Sequence, residues 1–125
     1  MISSILQVAL GGALGAVLRY LTGLGLLRLF GQTAFPLGVL TVNVAGSFAM
    51  GLLVGLAAGR GVAPSPFLAA GLLGGFTTFS AFSLEAVTLY ERGALGLAAA
   101  YVTANVVLSI GALFAGLALV RGVAA

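Results

Sequence analysis

Neutral polar side chains recur at helical spacing inside strongly apolar stretches of the chain. Tyr101, Asn105 and Ser109 follow one another at steps of four, so they lie on one face of a helix. Asn43 lies in the middle of another apolar stretch, and Ser47 follows it by about one turn. All five side chains can donate hydrogen bonds, which suits a small anion that has lost its water. The alternative for Asn43 is a purely structural bond between helices.

The segment 74–83 combines glycines, hydroxyls and phenylalanines. Gly74 and Gly75 are followed closely by Thr77 and Thr78, and this combination weakens a helix. We therefore predict that the third helix is broken near its middle. Backbone carbonyls freed by a break must find partners inside the protein, because lipid offers none. A bound cation is one solution.

Phenylalanines are interleaved with the hydroxyls of this segment. Phe79 and Phe82 are three apart on one helical face, Phe76 precedes them, and Ser80 lies between them. The rim of a phenylalanine ring is positive and can assist an anion. The alternative is an aromatic stripe that faces lipid or the core. The hydroxyls that alternate with the rings at a weak point of the helix favour a role of the rings beside an anion.

The chain lacks the residues on which enzymes and most metal sites depend. It contains no cysteine and no histidine, which is the commonest metal ligand and general base. Its two carboxylates, Glu85 and Glu91, both fall towards the end of the third apolar stretch. No nucleophile is paired with a base, and the five scattered arginines form no patch for nucleic acid. We predict neither enzymatic activity nor a nucleic-acid partner.

Four apolar stretches must position these residues. Of 125 residues, 62% are apolar and 6% are charged, whereas a soluble domain is about half apolar and about a quarter charged. The stretches cover residues 2–29, 37–58, 67–89 and 95–120, and a helix of roughly 20 residues spans a bilayer. Because the breaks between them are short, consecutive helices form antiparallel hairpins. We predict a single all-α membrane domain, 1–125, with four transmembrane helices.

Glycines recur at steps of four in three of these stretches. Small residues at this spacing let helix backbones approach closely in lipid, so we predict dense packing. The alternative is that glycine is simply common in membrane helices. The spacing is found at Gly11 and Gly15, at Gly51, Gly55 and Gly59, and at Gly71 and Gly75.

The arginines divide evenly between the two sides of the membrane. With four spans, Arg60 and Arg121 lie on the side of both termini and Arg28 and Arg92 on the other, while Arg19 adds only a weak lean. Arginine and lysine in short loops set orientation, so an even count predicts insertion in both directions. Two oppositely oriented copies can pair about a twofold axis in the membrane plane. The alternative is one dominant orientation.

Three motifs, GGALGAVLRY at 11–20, VNV with GSF within 42–48 and TTFS with FS within 77–83, follow one another along nearly the whole chain and resemble those of the CrcB or Fluc family of fluoride channels. Residues 11–20, GGALGAVLRY, resemble the opening GGxxGAxxRY motif of that family. Residues 38–51, with VNV around Asn43 and GSF at 46–48, resemble its helix 2 signature. Residues 71–85, with TTFS at 77–80 and FS at 82–83, resemble its helix 3 signature.

This resemblance implies an antiparallel, dual-topology homodimer that conducts fluoride passively through two pores. Such a protein lies in the inner (plasma) membrane of a prokaryotic cell, where it exports fluoride that has entered as hydrogen fluoride and so relieves fluoride toxicity. By the same resemblance, the fluoride path is lined by Asn43, Phe79, Ser80, Phe82, Tyr101, Asn105 and Ser109.

The resemblance also implies a structural sodium ion at the dimer interface. Gly74 and Thr77 match the backbone positions that hold this ion. Arg19 matches the vestibule arginine of the family, and Glu85 matches the acidic residue after the helix 3 motif.

Two positions depart from the family pattern. Val39 and Ala81 stand where threonine is common in the family, and each change removes a hydroxyl from the expected fluoride path. Fluoride transport by this chain should therefore depend more heavily on Asn43 and on the polar face of the last helix, formed by Tyr101, Asn105 and Ser109.

Two rival functions are less well supported by the residues. A small dual-topology multidrug exporter needs a carboxylate in the membrane, normally in its first helix, and the first helix here has none. A non-conducting assembly subunit is the other rival, but packing alone needs no aligned polar stripes.

Overall fold

The computed structural model describes residues 1–124, and its spans are helical apart from one break. Helix α1 covers Ile2–Phe30 and α2 covers Leu37–Gly59. The third span begins as a π-helical segment, Phe67–Leu73, continues as the short helix α3, Gly74–Phe76, and resumes after a break as α4, Ser80–Glu91. Helix α5 covers Leu95–Ala124. Four spans are thus long and apolar enough to cross a membrane, as predicted.

The predicted starts of the spans, at residues 2, 37, 67 and 95, agree with the structure. The ends lie slightly further along the chain, at Phe30, Gly59, Glu91 and Ala124. Gly31 and Gly93 follow the ends of two of these helices with φ angles of 69° and 80°, a region that favours glycine. The chain therefore reverses direction within a few residues, as antiparallel hairpins require.

The predicted break in the third span is confirmed, and it occurs just after the glycine pair rather than at it. Gly74 and Gly75 remain helical, and the helix is interrupted at residues 77–79, where Thr77 is extended with φ −85° and ψ 159°. Gly75 is held against α1, since a Cβ placed on it would lie 3.1 Å from the Gly12 Cα. The interruption falls instead where a side chain of α2 binds the backbone, as described below.

The break lets the two halves of the third span pack against different helices. The π-helical segment and α3 lie against α1, whereas α4 lies against α5, which also packs along α2. A Cβ on Gly11 or Gly15 would collide with carbonyl oxygens of the π-helical segment, and one on Gly51 would collide with the Leu113 carbonyl. The prediction of dense packing is confirmed where α1 meets the third span and at the seam between α2 and α5. Gly59 is an exception, because a Cβ there would meet nothing within 4 Å.

Candidate functional site

The side-chain amide of Asn43, on α2, binds the backbone of the break. Asn43 Oδ1 accepts a hydrogen bond from the Thr78 N–H at 2.8 Å, and Asn43 Nδ2 donates to the Thr78 carbonyl at 3.1 Å. An N–H can only donate and a carbonyl can only accept, so these bonds decide the orientation of the amide. Asn43 therefore supplies Thr78 with the partners that a continuous helix would have supplied.

The same amide connects the break to α5. Asn43 Nδ2 donates a second hydrogen bond, to Asn105 Oδ1 at 3.1 Å, so both of its hydrogens are engaged. Asn105, only 4% exposed, in turn donates from Nδ2 to the Tyr101 carbonyl at 3.1 Å. The orientation of Asn105 is thus set by Asn43 on one side and by its own helix on the other.

Tyr101 is buried and directs its hydroxyl away from this amide pair. The hydroxyl donates a hydrogen bond to Glu85 Oε2 of α4, and the ring packs edge-on against Phe35 with centroids 5.5 Å apart. Although Tyr101, Asn105 and Ser109 share a helical face, they therefore reach different surroundings.

An open groove of about 400 Å³ lies beside the break. It brings together five of the predicted path residues, namely Asn43, Phe79, Phe82, Asn105 and Ser109. Its remaining lining residues are Ser47, Thr77, Thr78, Val106 and Ile110. None of these lining side chains is charged, and six of them carry neutral hydrogen-bonding groups.

Ser109 is the polar group in the groove with the clearest need of a partner. Its Oγ is buried and makes no hydrogen bond within residues 1–124. A buried polar atom without a partner costs about 1–3 kcal/mol, so a ligand that accepts its hydrogen would recover this energy.

The two phenylalanines meet in the groove, but from different elements. Phe79 is the last residue of the break rather than a member of α4, although its φ of −91° and ψ of −36° are helical, as the predicted common face requires. Their rings nevertheless contact edge to face, with centroids 5.3 Å apart and planes inclined at 62°. Phe82 is 7% exposed and packs on Tyr101, whereas Phe79 is 76% exposed. Phe82 is therefore held in place by its neighbours at the side of the groove, whereas the Phe79 ring is exposed at the surface of a single chain.

A second cavity, which shares Thr78 with the groove, holds both predicted vestibule residues. Arg19 and Glu85 line it together with residues of α1 and α2. Arg19 Nε donates a hydrogen bond to the Gly75 carbonyl at 3.1 Å, so it also satisfies a carbonyl next to the break. Glu85 faces this cavity and Tyr101, and it does not line the groove.

The two departures from the family pattern also belong to this second cavity. Val39 and Ala81 both line it, and neither lines the groove. The missing hydroxyls therefore change the surroundings of Arg19 rather than those of Asn105 and Ser109.

The break leaves two carbonyls free at the proposed sodium positions. Of the hydrogen bonds found within residues 1–124, none ends on the carbonyl oxygen of Gly74 or Thr77. Gly74 is also exposed at the surface of a single chain. The described residues contain no group of three or more side chains of the types His, Cys, Asp and Glu that could hold a metal. A cation here would depend on backbone oxygens, and these two are available.

Ser80 and Thr78 show what the sequence reasoning misplaced and missed. Ser80 is exposed at the start of α4 and lies outside the groove, with its Oγ 3.5 Å from Thr78 Oγ1. Thr78 is central, because it touches both cavities and its backbone binds Asn43. Its residue type carried no signal for this role, and only its position beside the expected break could have indicated it.

Comparison with known proteins agrees with the resemblance read from the motifs. The family model described as CrcB-like protein, Camphor Resistance (CrcB), matches residues 6–117. A Cereibacter sphaeroides protein named fluoride-specific ion channel FluC is 66% identical over 122 residues, which are 98% of each chain.

Two further relatives carry the same name. One from Ruegeria sp. is 59% identical over 124 residues, again 98% of each chain. One from Agrobacterium fabrum is 57% identical over 121 residues, which are 94% of this chain and 96% of that one. These names describe ion channels and not enzymes. The match spans almost the whole chain at high identity, and the chain therefore belongs to the CrcB family.

Proposed function

We propose that this chain forms a passive channel selective for fluoride. The groove beside the break carries the proposal, because it gathers neutral hydrogen-bond donors and two phenylalanine rings and no charged side chain. The names of the relatives support fluoride as the ion. A small anion loses its water on entering such a groove, and hydroxyl donors such as Ser109 replace part of that water.

A neutral lining also suits rapid passage. Conduction needs binding that is strong enough for entry and weak enough for exit, and a fixed cation in the path would hold an anion too tightly. Because no carboxylate lines the groove, no group there is available for proton exchange. Transport is therefore driven only by the electrochemical gradient of fluoride, which is its concentration gradient together with the membrane potential.

The direction of net transport follows from the membrane potential. We infer that the protein lies in the inner membrane of a prokaryotic cell, with the inside negative. Each 100 mV contributes about 2.3 kcal/mol for one elementary charge. An anion that has accumulated inside after entry as hydrogen fluoride is thus driven outward, which relieves fluoride toxicity.

The first prediction tests transport itself. Purified protein in liposomes loaded with potassium fluoride should release fluoride when valinomycin balances the charge, without a pH gradient. A fluoride electrode measures the efflux, and liposomes loaded with potassium chloride provide the comparison. Equal chloride release, or release that requires a pH gradient, would refute the proposal.

A second copy of the chain best explains the exposed surface at the break. Gly74, Phe79 and Ser80 are exposed in a single chain, in the middle of a membrane span. Backbone groups without partners cannot face lipid, so protein must cover them. The even division of arginines favours a partner in the opposite orientation. In this antiparallel homodimer each copy contributes one groove, which gives two pores.

The proposed twofold axis brings the free carbonyls of two copies together. Gly74 and Thr77 from each copy supply four neutral oxygens, and sodium is suited to such ligands because the carboxylates usual for calcium or magnesium are absent from this set. The ion would neutralise the carbonyl dipoles of two breaks that meet inside the membrane.

The second prediction concerns sodium. After exhaustive dialysis into a buffer with N-methyl-D-glucamine as the only cation, purified dimer should show a lower thermal transition and slower fluoride release. Micromolar to millimolar sodium should restore both properties, and the same concentration of lithium serves as the control. Identical stability and flux with and without sodium would count against the site.

A further inference from the structure

A separate cavity lies at the end of the molecule where α2 and α5 finish. Its volume is about 470 Å³, and it is open to the surface. Arg60, the residue that caps α2, and Arg121, in the last turn of α5, both line it. The other lining residues are Val54, Gly55, Leu56, Ala58, Gly59, Leu117 and Val120.

The charge of this cavity is positive and is not balanced by a side-chain carboxylate. The chain has only two such groups, Glu85 and Glu91. Glu85 lines the cavity of Arg19, and Glu91 ends α4 next to the start of α5, at the opposite end from Arg121. The carbonyl ends of the two helices attract the arginines, but they leave most guanidinium donors free for a ligand.

The walls of the cavity are apolar. Val54 and Leu56 are 38% and 53% exposed, so each presents hydrocarbon surface beside the arginines. Gly59 keeps this part of α2 open, since a Cβ on it would meet nothing within 4 Å. Gly59 therefore does not serve contact between helices. Gly51 does, because a Cβ added to it would collide with α5.

We propose that this cavity binds an anionic phospholipid. The phosphate would accept hydrogen bonds from Arg60 and Arg121, and guanidinium groups match phosphate oxygens in paired geometry. An acyl chain would lie along Val54 and Leu56. An amphiphile uses both the charged mouth and the apolar walls, and the position at the end of two membrane spans places the arginines at headgroup depth. A free phosphate would use only the mouth.

The test measures lipid retention by purified protein. Native mass spectrometry in detergent should show tighter retention of phosphatidylglycerol than of phosphatidylcholine with the same acyl chains. Replacing both arginines, Arg60→Gln with Arg121→Gln, should weaken phosphatidylglycerol binding by roughly 30-fold and remove the preference. Gly59→Leu should fill the cavity and weaken retention of both lipids without disturbing the seam between α2 and α5.

A matched control removes the same charge from the other end of the molecule. Arg28→Gln with Arg92→Gln should leave the preference intact. Both pairs of changes shift the division of arginines between the two sides, so the variants are compared as solubilised protein, and each should elute as a single symmetric peak on size exclusion, which shows that it is folded. An equal loss in the control pair would overturn the proposal, since it would indicate a general effect of charge. Full displacement of the lipid by millimolar inorganic phosphate, or no preference in the wild type, would overturn it as well.

Discussion

Replacing Asn43 by alanine should lower passive fluoride flux by about tenfold or more. The change removes three hydrogen bonds, two to the backbone of Thr78 and one to Asn105. Each polar group left buried without a partner costs about 1–3 kcal/mol, and about 1.4 kcal/mol corresponds to one decade in rate or occupancy. Efflux from liposomes at matched protein content measures the effect.

Two further variants separate the possible roles of this amide. Ser47→Ala removes another polar group from the same groove, one turn away on the same helix, and should affect flux far less because Ser47 holds no part of the break. Asn43→Asp keeps an acceptor for the Thr78 N–H but loses both donors, so it should also impair flux.

Thermal stability distinguishes positioning from direct contact with the ion. Because both Nδ2 hydrogens are engaged by protein, we expect Asn43 to act by holding Thr78 and Asn105 in place, and Asn43→Ala should lower the thermal transition of the purified protein together with the flux. A large loss of flux at unchanged stability would instead assign Asn43 as a direct donor to fluoride. Wild-type flux at normal expression would exclude both roles.

Biasing the orientation of the chain should nearly abolish its activity. Two lysines added directly after Arg121 place positive charge on the side of both termini, so most copies should insert with that side in the cytoplasm. An antiparallel dimer needs both orientations, and fluoride resistance of cells that lack another fluoride exporter should fall close to that of cells without the protein.

Co-expression with an oppositely biased chain should restore resistance. Gln32→Lys with Ala34→Lys provides that bias, because both residues are exposed in the connection between α1 and α2. Ala34→Gln with Gln32 left unchanged, together with two glutamines after Arg121, controls for effects other than charge. Full resistance from one lysine variant alone, or a C-terminal reporter found on a single side of the membrane for the unmodified chain, would contradict dual topology.

Much of the architecture could be predicted from residue composition and order. Hydrocarbon cannot hydrogen-bond a backbone, so apolar stretches of membrane length must be helical, and their starts were correctly predicted at residues 2, 37, 67 and 95. Motifs at Asn43 and at residues 77–80 identified the family, and the steps of four placed Asn105 and Ser109 on a face that does line the groove. These properties are local, since they depend on spacing within one helix.

The tertiary structure decided which partner each of these side chains has. The glycines and threonines of residues 74–78 together predicted a break near the middle of the span. Packing against α1 keeps Gly74 and Gly75 helical, and the Asn43 amide of another helix binds the backbone of Thr78, so the break falls at the threonines. Tyr101 shares its stripe with Asn105, yet α4 supplies Glu85 to its hydroxyl and so turns it away from the groove. Helical periodicity determines the direction in which a side chain leaves its own helix. The neighbour that it meets depends on how separate helices pack, and this depends on contacts between residues that are distant in sequence.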